Sequence, residues 1–223
     1  MGVLVAVVNT KGGSGKTTTA TNLASWLALS SPPGTTKLID ADAHQHSADD
    51  WAQARLEASG LFPAVARGML RGSIYKTLME EREQWGVVVV DCPGSDSPET
   101  RGAMGAADVI VMPTGIGQTD IGALGQMGML IRHMREGGNS TPVIAVLNNV
   151  DPKCTREAAE AMEVLGTMGD YFQMHDKVLW DRQAARTAMR AGLGVHELRG
   201  REHDEKCTLE FASLFAEVFN AIA

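Results

Sequence analysis

A run of six apolar residues from Val3 to Val8 gives way, after Asn9 and Thr10, to Lys11-Gly12-Gly13-Ser14-Gly15-Lys16-Thr17-Thr18. An apolar pattern then resumes with Ala20, Leu23, Ala24 and Leu27 on one helical face, and Pro32-Pro33-Gly34 stops it. A short, unbroken apolar run is what a strand covered on both faces requires. The local order is therefore buried strand, glycine-rich loop, helix. Glycines at 12, 13 and 15 let backbone N–H groups turn inward onto an anion, and the helix N-terminus adds the positive end of its dipole. In such a loop Lys16 reaches the β- and γ-phosphates of a nucleotide, and the Thr17 hydroxyl binds Mg²⁺. The commonest phosphate loop reads GxxxxGK[ST]; here Thr10 stands where its first glycine would be, and a second lysine, Lys11, heads the loop.

The remaining pattern repeats strand and helix. Strands are expected at 37–40, 87–91, 109–112 and 142–147, and helices near 47–58, 73–83, 118–135, 155–168, 181–190 and 208–222. Thr155 and Asp181 are the expected N-caps of two of these helices. This alternation implies one α/β domain over residues 1–223, with a mostly parallel twisted sheet and helices on both faces. Ligands of such sheets sit at the carboxyl ends of strands, where the loop falls. Three cysteines, Cys92, Cys154 and Cys207, are widely spaced, which excludes a disulfide framework and a CxxC zinc site. Cys92 reads as a small buried filler. The apolar start has no basic region before it and no small-residue cleavage site after it, and no run of 18 apolar residues exists. A cytoplasmic chain is expected.

KGGxGKT[TS] with its leading lysine resembles the deviant Walker A box of the ParA/MinD ATPases. The resemblance extends over nearly the whole chain, and it is nearest to small ParA-type proteins without an N-terminal DNA-reading domain. It implies a P-loop ATPase in which two subunits sandwich two ATP molecules. Gly12, Gly13, Ser14, Gly15, Lys16, Thr17 and Thr18 would then hold the phosphates in cis, while Lys11 would act on the partner's nucleotide. Asn148, at the end of the strand near 142–147, matches the family's adenine contact, with Asn149 as a competing candidate. The segment from Met112 to Asp120 matches the family's dimer face.

Three carboxylates close strands beside the loop. Asp40 and Asp42 lie on one side of the second strand, and Asp91 ends Val87-Val88-Val89-Val90. Such an acid holds Mg²⁺, usually through a water. By resemblance Asp91 and Asp40 would lie at the metal with Thr17, and Asp42 would position the attacking water. The family reads Asp-x-Asp-Pro-Gln where this chain reads Asp40-Ala41-Asp42-Ala43-His44-Gln45-His46, so the switch loop is one residue longer here. His44 and His46 lack further ligands and read as solvated loop residues.

On a chain of net charge -7, Arg182, Arg186 and Arg190 recur every four residues, and between 182 and 201 five arginines face one acid. This stripe is a candidate for non-specific contact with DNA phosphates, as opposed to a solvated helix face. The C-terminal helix carries Leu214, Phe215, Val218, Phe219 and Ile222 on one side and no Lys or Arg, so docking on the sheet is expected, not lipid binding. The resemblance implies ATP and Mg²⁺ as cofactors, an ATP-dependent homodimer, non-specific double-stranded DNA and an ATPase-stimulating adaptor as partners, a nucleoid-associated location, and no stable membrane association. The cargo would be plasmid or chromosomal DNA, or a large protein assembly such as a carboxysome or chemoreceptor cluster. Two other classes stay open: a MinD-like membrane-cycling regulator, and a metabolic enzyme of the dethiobiotin-synthetase type.

Overall fold

Alternation along the strands divides the apolar residues between two layers. In β1 (Val3–Val7), Leu4 and Ala6 enter one layer while Val5 and Val7 enter the other. The same division holds in β4 (Val87–Asp91), with Val88 and Val90 against Val89. A strand that buries both faces needs apolar residues throughout, which is why these two strands are the plainest in the sequence. The computed structural model describes residues 2–42, 45–57 and 62–221.

The other strands are β2 (Thr36–Asp40), β3 (Ala66–Met69), β5 (Val109–Thr114), β6 (Val143–Val150), β7 (Gln173–Met174) and β8 (Leu179–Trp180). Seven strands run in the order β3-β2-β4-β1-β5-β6-β7, all pairs are parallel, and β8 pairs with β6 beyond a register shift. On one face lie α1 (Lys16–Ser30), α2 (Ser47–Glu57), α7 (Gln183–Arg190) and α8 (Glu205–Asn220), which contribute Leu23, Trp51, Ala188 and Phe215. On the other lie α3 (Tyr75–Gln84), α4 (Pro98–Ala106), α5 (Gln118–Glu136) and α6 (Thr155–Gly166), with Leu78, Met104, Ile131 and Leu165. The expected α/β architecture, parallel with helices on both faces, is the one observed.

The local expectations that fail do so at ends and edges. β3 reads ARGM, has only one face half-buried and forms the sheet edge, so it carries no apolar run. β7 and β8 are two residues each, too short for a periodic signal. Asp181 does not cap α7: the helix begins at Gln183, Arg182 occupies the cap position, and the Asp181 carboxylate pairs with Arg186. α6 is preceded by Cys154 at its cap, not Thr155. α8 starts earlier than expected because Asp204 caps it, accepting from the Cys207 N–H at 3.0 Å.

α8 docks as expected: Leu214, Phe215 and Val218 are buried and Phe219 packs against them, whereas Ile222 lies outside the described residues. No helix among the described residues is long and apolar enough to cross a membrane.

A buried ion pair joins α2 to the chain just beyond α7. Both guanidinium nitrogens of Arg55 meet Glu197, at 2.8 and 2.7 Å, and Arg55 also donates to the Gly192 and Pro63 carbonyls. Trp51 Nε1 donates to the Leu193 carbonyl at 3.1 Å. A bidentate pair with further donors satisfied by carbonyls is the form in which burial of two charges is tolerated. Its effect is to fix the end of α7 relative to the helix that follows the Asp40–Asp42 loop.

Candidate nucleotide site

The loop between β1 and α1 has the conformation its glycines were expected to permit. Gly13 and Gly15 adopt φ of 75° and 85°, the left-handed region open to glycine. A Cβ on Gly15 would lie 1.8 Å from Asn148 Nδ2, so this position excludes any side chain on steric grounds as well. Asn9, which the sequence motifs do not single out, is buried beneath the loop. Its Oδ1 accepts from the Lys11 N–H at 2.9 Å and its Nδ2 donates to the Pro113 carbonyl at 2.8 Å. The one signal for it is an asparagine directly after an apolar strand, where a polar side chain must find partners.

Lys16 Nζ donates to the Lys11 carbonyl at 2.9 Å, folding across the loop that is to hold phosphate. Burial holds its ammonium below the usual lysine range, against opposing attraction from Asp91. A cation whose charge is partly desolvated gains most from an arriving anion. Thr17, Thr18, Gly12, Gly13 and Gly15 line a cleft of about 500 Å³ together with Lys16, in the size range of small-molecule sites. Ser14 turns inward, its hydroxyl buried without a partner.

The Thr17 hydroxyl donates to Asp91 Oδ2 at 2.7 Å, while Asp91 Oδ1 is buried with no hydrogen-bond partner among the described residues. That oxygen beside a hydroxyl is a fit for a hard divalent cation. Burial, opposed by the Thr17 hydrogen bond, pushes the Asp91 carboxyl up to about 7. Its folded value thus lies above the ordinary 3.8, so without metal the folded state binds more protons than the unfolded chain between these values. The stability this proton contributes is complete below 3.8 and is lost as pH rises through 7. Metal uptake requires the ionised form, so the Mg²⁺ dependence of nucleotide binding should strengthen steeply from pH 6 to pH 8, approaching about tenfold per unit below 7. Calorimetry in two buffers of different ionisation enthalpy should show close to one proton released per metal at pH 6. No uptake-linked proton would remove Asp91 from the metal.

Asp40 does not join this pair. Its Oδ2 accepts from the Ala48 and Asp49 N–H groups at 2.9 and 3.0 Å, capping α2, and its Oδ1 accepts from the Asp42 N–H at 2.9 Å. Three backbone donors meet the carboxylate, so Asp40 has a structural role that shapes the Asp42 turn and the start of α2, and the expected place at the metal would come beside it. Asp42 itself lines the cleft, and its Oδ1 accepts from the Gln45 N–H at 3.3 Å. Gln45 is exposed at the cleft and His46 has φ of 51°, whereas Ala43 and His44 lie outside the described residues.

Lys11 is placed differently from Lys16. Its Nζ is 2.7 Å from Asp120 Oδ1, and the other oxygen of Asp120 accepts from the Gly117 N–H at 2.9 Å at the start of α5. Asp120 is buried, and Lys11 does not line the cleft that Lys16 and Thr17 enter. Asn148, like Asn149, lines the cleft. Its Nδ2 donates to the Ser14 carbonyl at 2.8 Å and its side chain braces Gly15, so it supports the loop from behind. Asn149, at φ 57°, is exposed at the cleft and is the better placed of the two for a base.

The three arginines line the far wall of this same cleft, which runs from the loop to α7, with Trp180, Met189 and Phe211 beside them. They do not form one free stripe. Arg182 precedes the helix and is held by Glu210, with Nη2 at 2.5 Å and Nε at 3.0 Å from Oε1, and by Asp204 at 3.7 Å. Its side chain is 20% exposed. Arg186 is exposed and pairs with Asp181, and Arg190 is exposed.

Residues 5–191 match the family described as the CobQ/CobB/MinD/ParA nucleotide binding domain. The maintenance of carboxysome distribution protein A of Gloeobacter kilaueensis is 34% identical over 205 residues, which are 91% of this chain and 88% of that protein. Protein ParA of Rhizobium radiobacter is 24% identical, over 96% of this chain and 94% of its own. Among solved structures, apo McdA from Cyanthece superposes with a TM-score of 0.74 at 14% identity, covering all of both chains. The MinC:MinD cell division complex of Aquifex aeolicus gives 0.72 at 15% identity, over 98% of this chain and 96% of that one.

Proposed function

The chain belongs to the CobQ/CobB/MinD/ParA nucleotide-binding family, and from that premise we propose that it is a ParA-type positioning ATPase that cycles between monomer and ATP-bound dimer. ATP would occupy the cleft, Thr17 and Asp91 would hold the Mg²⁺ that offsets phosphate charge, and Asp42 would orient the attacking water. The observation that carries the dimer is the separation of the two lysines. Lys16 lies across its own phosphate loop, whereas Lys11 pairs with Asp120 outside the cleft. A cation so placed serves a phosphate other than its own, and a γ-phosphate presented by a second copy is the partner that supplies one.

The ATP form holds non-specific DNA, and an adaptor that stimulates hydrolysis links the dimer to cargo in the nucleoid. A cargo in the form of a large protein assembly is supported by the relative named for carboxysome distribution. The membrane-cycling alternative is disfavoured because the apolar side of α8 is spent on the core. For DNA, Arg182 is withdrawn because its side chain is 20% exposed and held by Glu210 and Asp204, whereas Arg186, although paired with Asp181, is 52% exposed at the surface. Arg186, Arg199 and Arg201, all exposed around α7, are the cations assigned to phosphate contacts.

Sedimentation and DNA binding with and without ATP test this reading. ATP with Mg²⁺ should convert the monomer to a dimer and create DNA affinity that falls with salt. Replacing Arg186, Arg199 and Arg201 by alanine should weaken binding uniformly across sequences and reduce the salt slope by about one for each phosphate no longer neutralised. A monomer at saturating ATP, or DNA affinity indifferent to ATP, would overturn the cycle.

A further inference from the structure

Arg190 closes α7 and lines the same cleft as Lys16, Thr17 and Thr18. Its two neighbours on this wall are already neutralised, Arg182 by Glu210 and Asp204, Arg186 by Asp181. The Arg190 side chain makes no hydrogen bond or ion pair with any described residue. It therefore brings an uncompensated charge to the mouth of a site built for a polyanion.

Its backbone, by contrast, is held firmly. Gly192, two residues on, has φ of 67°, and a Cβ there would lie 2.2 Å from the Arg55 nitrogen. Arg55 Nη1 donates to the Gly192 carbonyl at 3.1 Å, and Trp51 binds the next carbonyl, that of Leu193. On the other side Met189 Sδ lies 3.6 Å from the Thr21 hydroxyl, so α7 rests on α1 one turn after Thr17. The end of α7 thus has a fixed position relative to the phosphate loop, with the Arg190 side chain exposed beside it. Pre-organisation of this kind reduces the ordering cost of binding.

We propose that Arg190 is a nucleotide-binding residue acting in cis, its guanidinium donating to the phosphate chain of the nucleotide in its own cleft. This rests on the reading of the cleft as a nucleotide site. The phosphates, not the base, are its partner: the wall it adjoins offers Met189 and Phe211 to an apolar ring, whereas a guanidinium fork matches two phosphate oxygens. Contact of this sort makes α7 a part of the nucleotide site. It also assigns Arg190 to ATP and leaves DNA phosphates to Arg186 and the arginines beyond the helix.

Titration of fluorescent ATP and ADP analogues tests the assignment, with the full chain as wild type, Arg190→Ala, Arg190→Lys and Lys16→Ala. Arg190→Ala should weaken both nucleotides by about tenfold to a hundredfold, the loss of a charge-assisted hydrogen bond. Arg190→Lys should recover part of that loss, since charge is kept and the fork is not. The thermal midpoint without nucleotide should not change, because the side chain is exposed and unpaired. Wild-type binding together with Arg190→Ala affinities within about twofold of wild type would overturn the proposal. So would unchanged nucleotide affinity combined with weakened DNA binding at saturating ATP, which would return Arg190 to the DNA surface. Absence of binding by the wild type would instead defeat the nucleotide reading itself, and the inference with it.

Discussion

Asp42→Ala is expected to lower ATP turnover by about a hundredfold or more while leaving ATP bound, and to accumulate an ATP-bound dimer on DNA. Asp42 lines the cleft with Lys16 and Thr17, at the carboxyl end of the strand that neighbours β4, and no other carboxylate on that strand end is available to replace it. Asp40 is the only other acid there, and three backbone N–H groups occupy it. Asp91 is engaged by Thr17. Loss of the group that orients water leaves the phosphate contacts intact, so binding persists and release fails. Phosphate release under single-turnover conditions, with sedimentation of the same sample, reads both effects. Asp40→Ala separates the roles: it should damage α2 and lower the thermal midpoint by loss of a helix cap worth about 1 kcal/mol, an effect Asp42→Ala should not show. Turnover of Asp42→Ala equal to wild type would assign the water to another residue.

The distinction between these two acids marks how far the sequence was legible. The order of strands and helices could be read because a parallel sheet buried on both faces demands continuous apolar runs, and β1, β4, β5 and β6 supply them. The phosphate loop could be read because glycine at 13 and 15 has a conformational cause that survives in any context. Tasks assigned to single polar side chains were less legible. Asp40 and Asp42 have the same chemistry and face, and only the path of α2 decides which one meets backbone donors. Asn148 and Asn149 are adjacent and both line the cleft, and the left-handed turn at Asn149 leaves one buried against the loop and the other exposed. Arg182 kept its spacing but not its freedom, because Glu210 reaches it from α8, a segment that periodicity does not connect to α7. Long-range partners of this kind have no local signature, and the Arg55–Glu197 pair, 142 positions apart, is another such case.

Lys11→Ala should leave ATP binding within about threefold of wild type yet abolish dimer formation and most turnover, a loss on the scale of about 10³ or more. The argument turns on Asp120. In the single chain Lys11 is spent on that carboxylate at 2.7 Å, so removing the lysine takes nothing from the chain's own cleft. It does leave Asp120 buried without its cation, although the Gly117 N–H still binds one oxygen, so a modest loss of stability is expected. Asp120→Asn should act in the opposite direction. The amide oxygen can still accept from Gly117, α5 keeps its start, and Lys11 is released from its only described ion-pair partner. A freed lysine has less to give up when it crosses to a second subunit, so the ATP concentration for half-maximal dimerisation should fall. Double substitution at 11 and 120 should behave as Lys11→Ala alone, since the latch has no function without the residue it holds. Sedimentation across an ATP series reads all three chains. If Lys11→Ala dimerises and turns over normally, the lysine is a structural partner of Asp120 and the sandwich needs another source of trans charge. If Asp120→Asn dimerises only at higher ATP, Asp120 belongs to the dimer face itself, and its pairing with Lys11 persists across the cycle instead of opposing it.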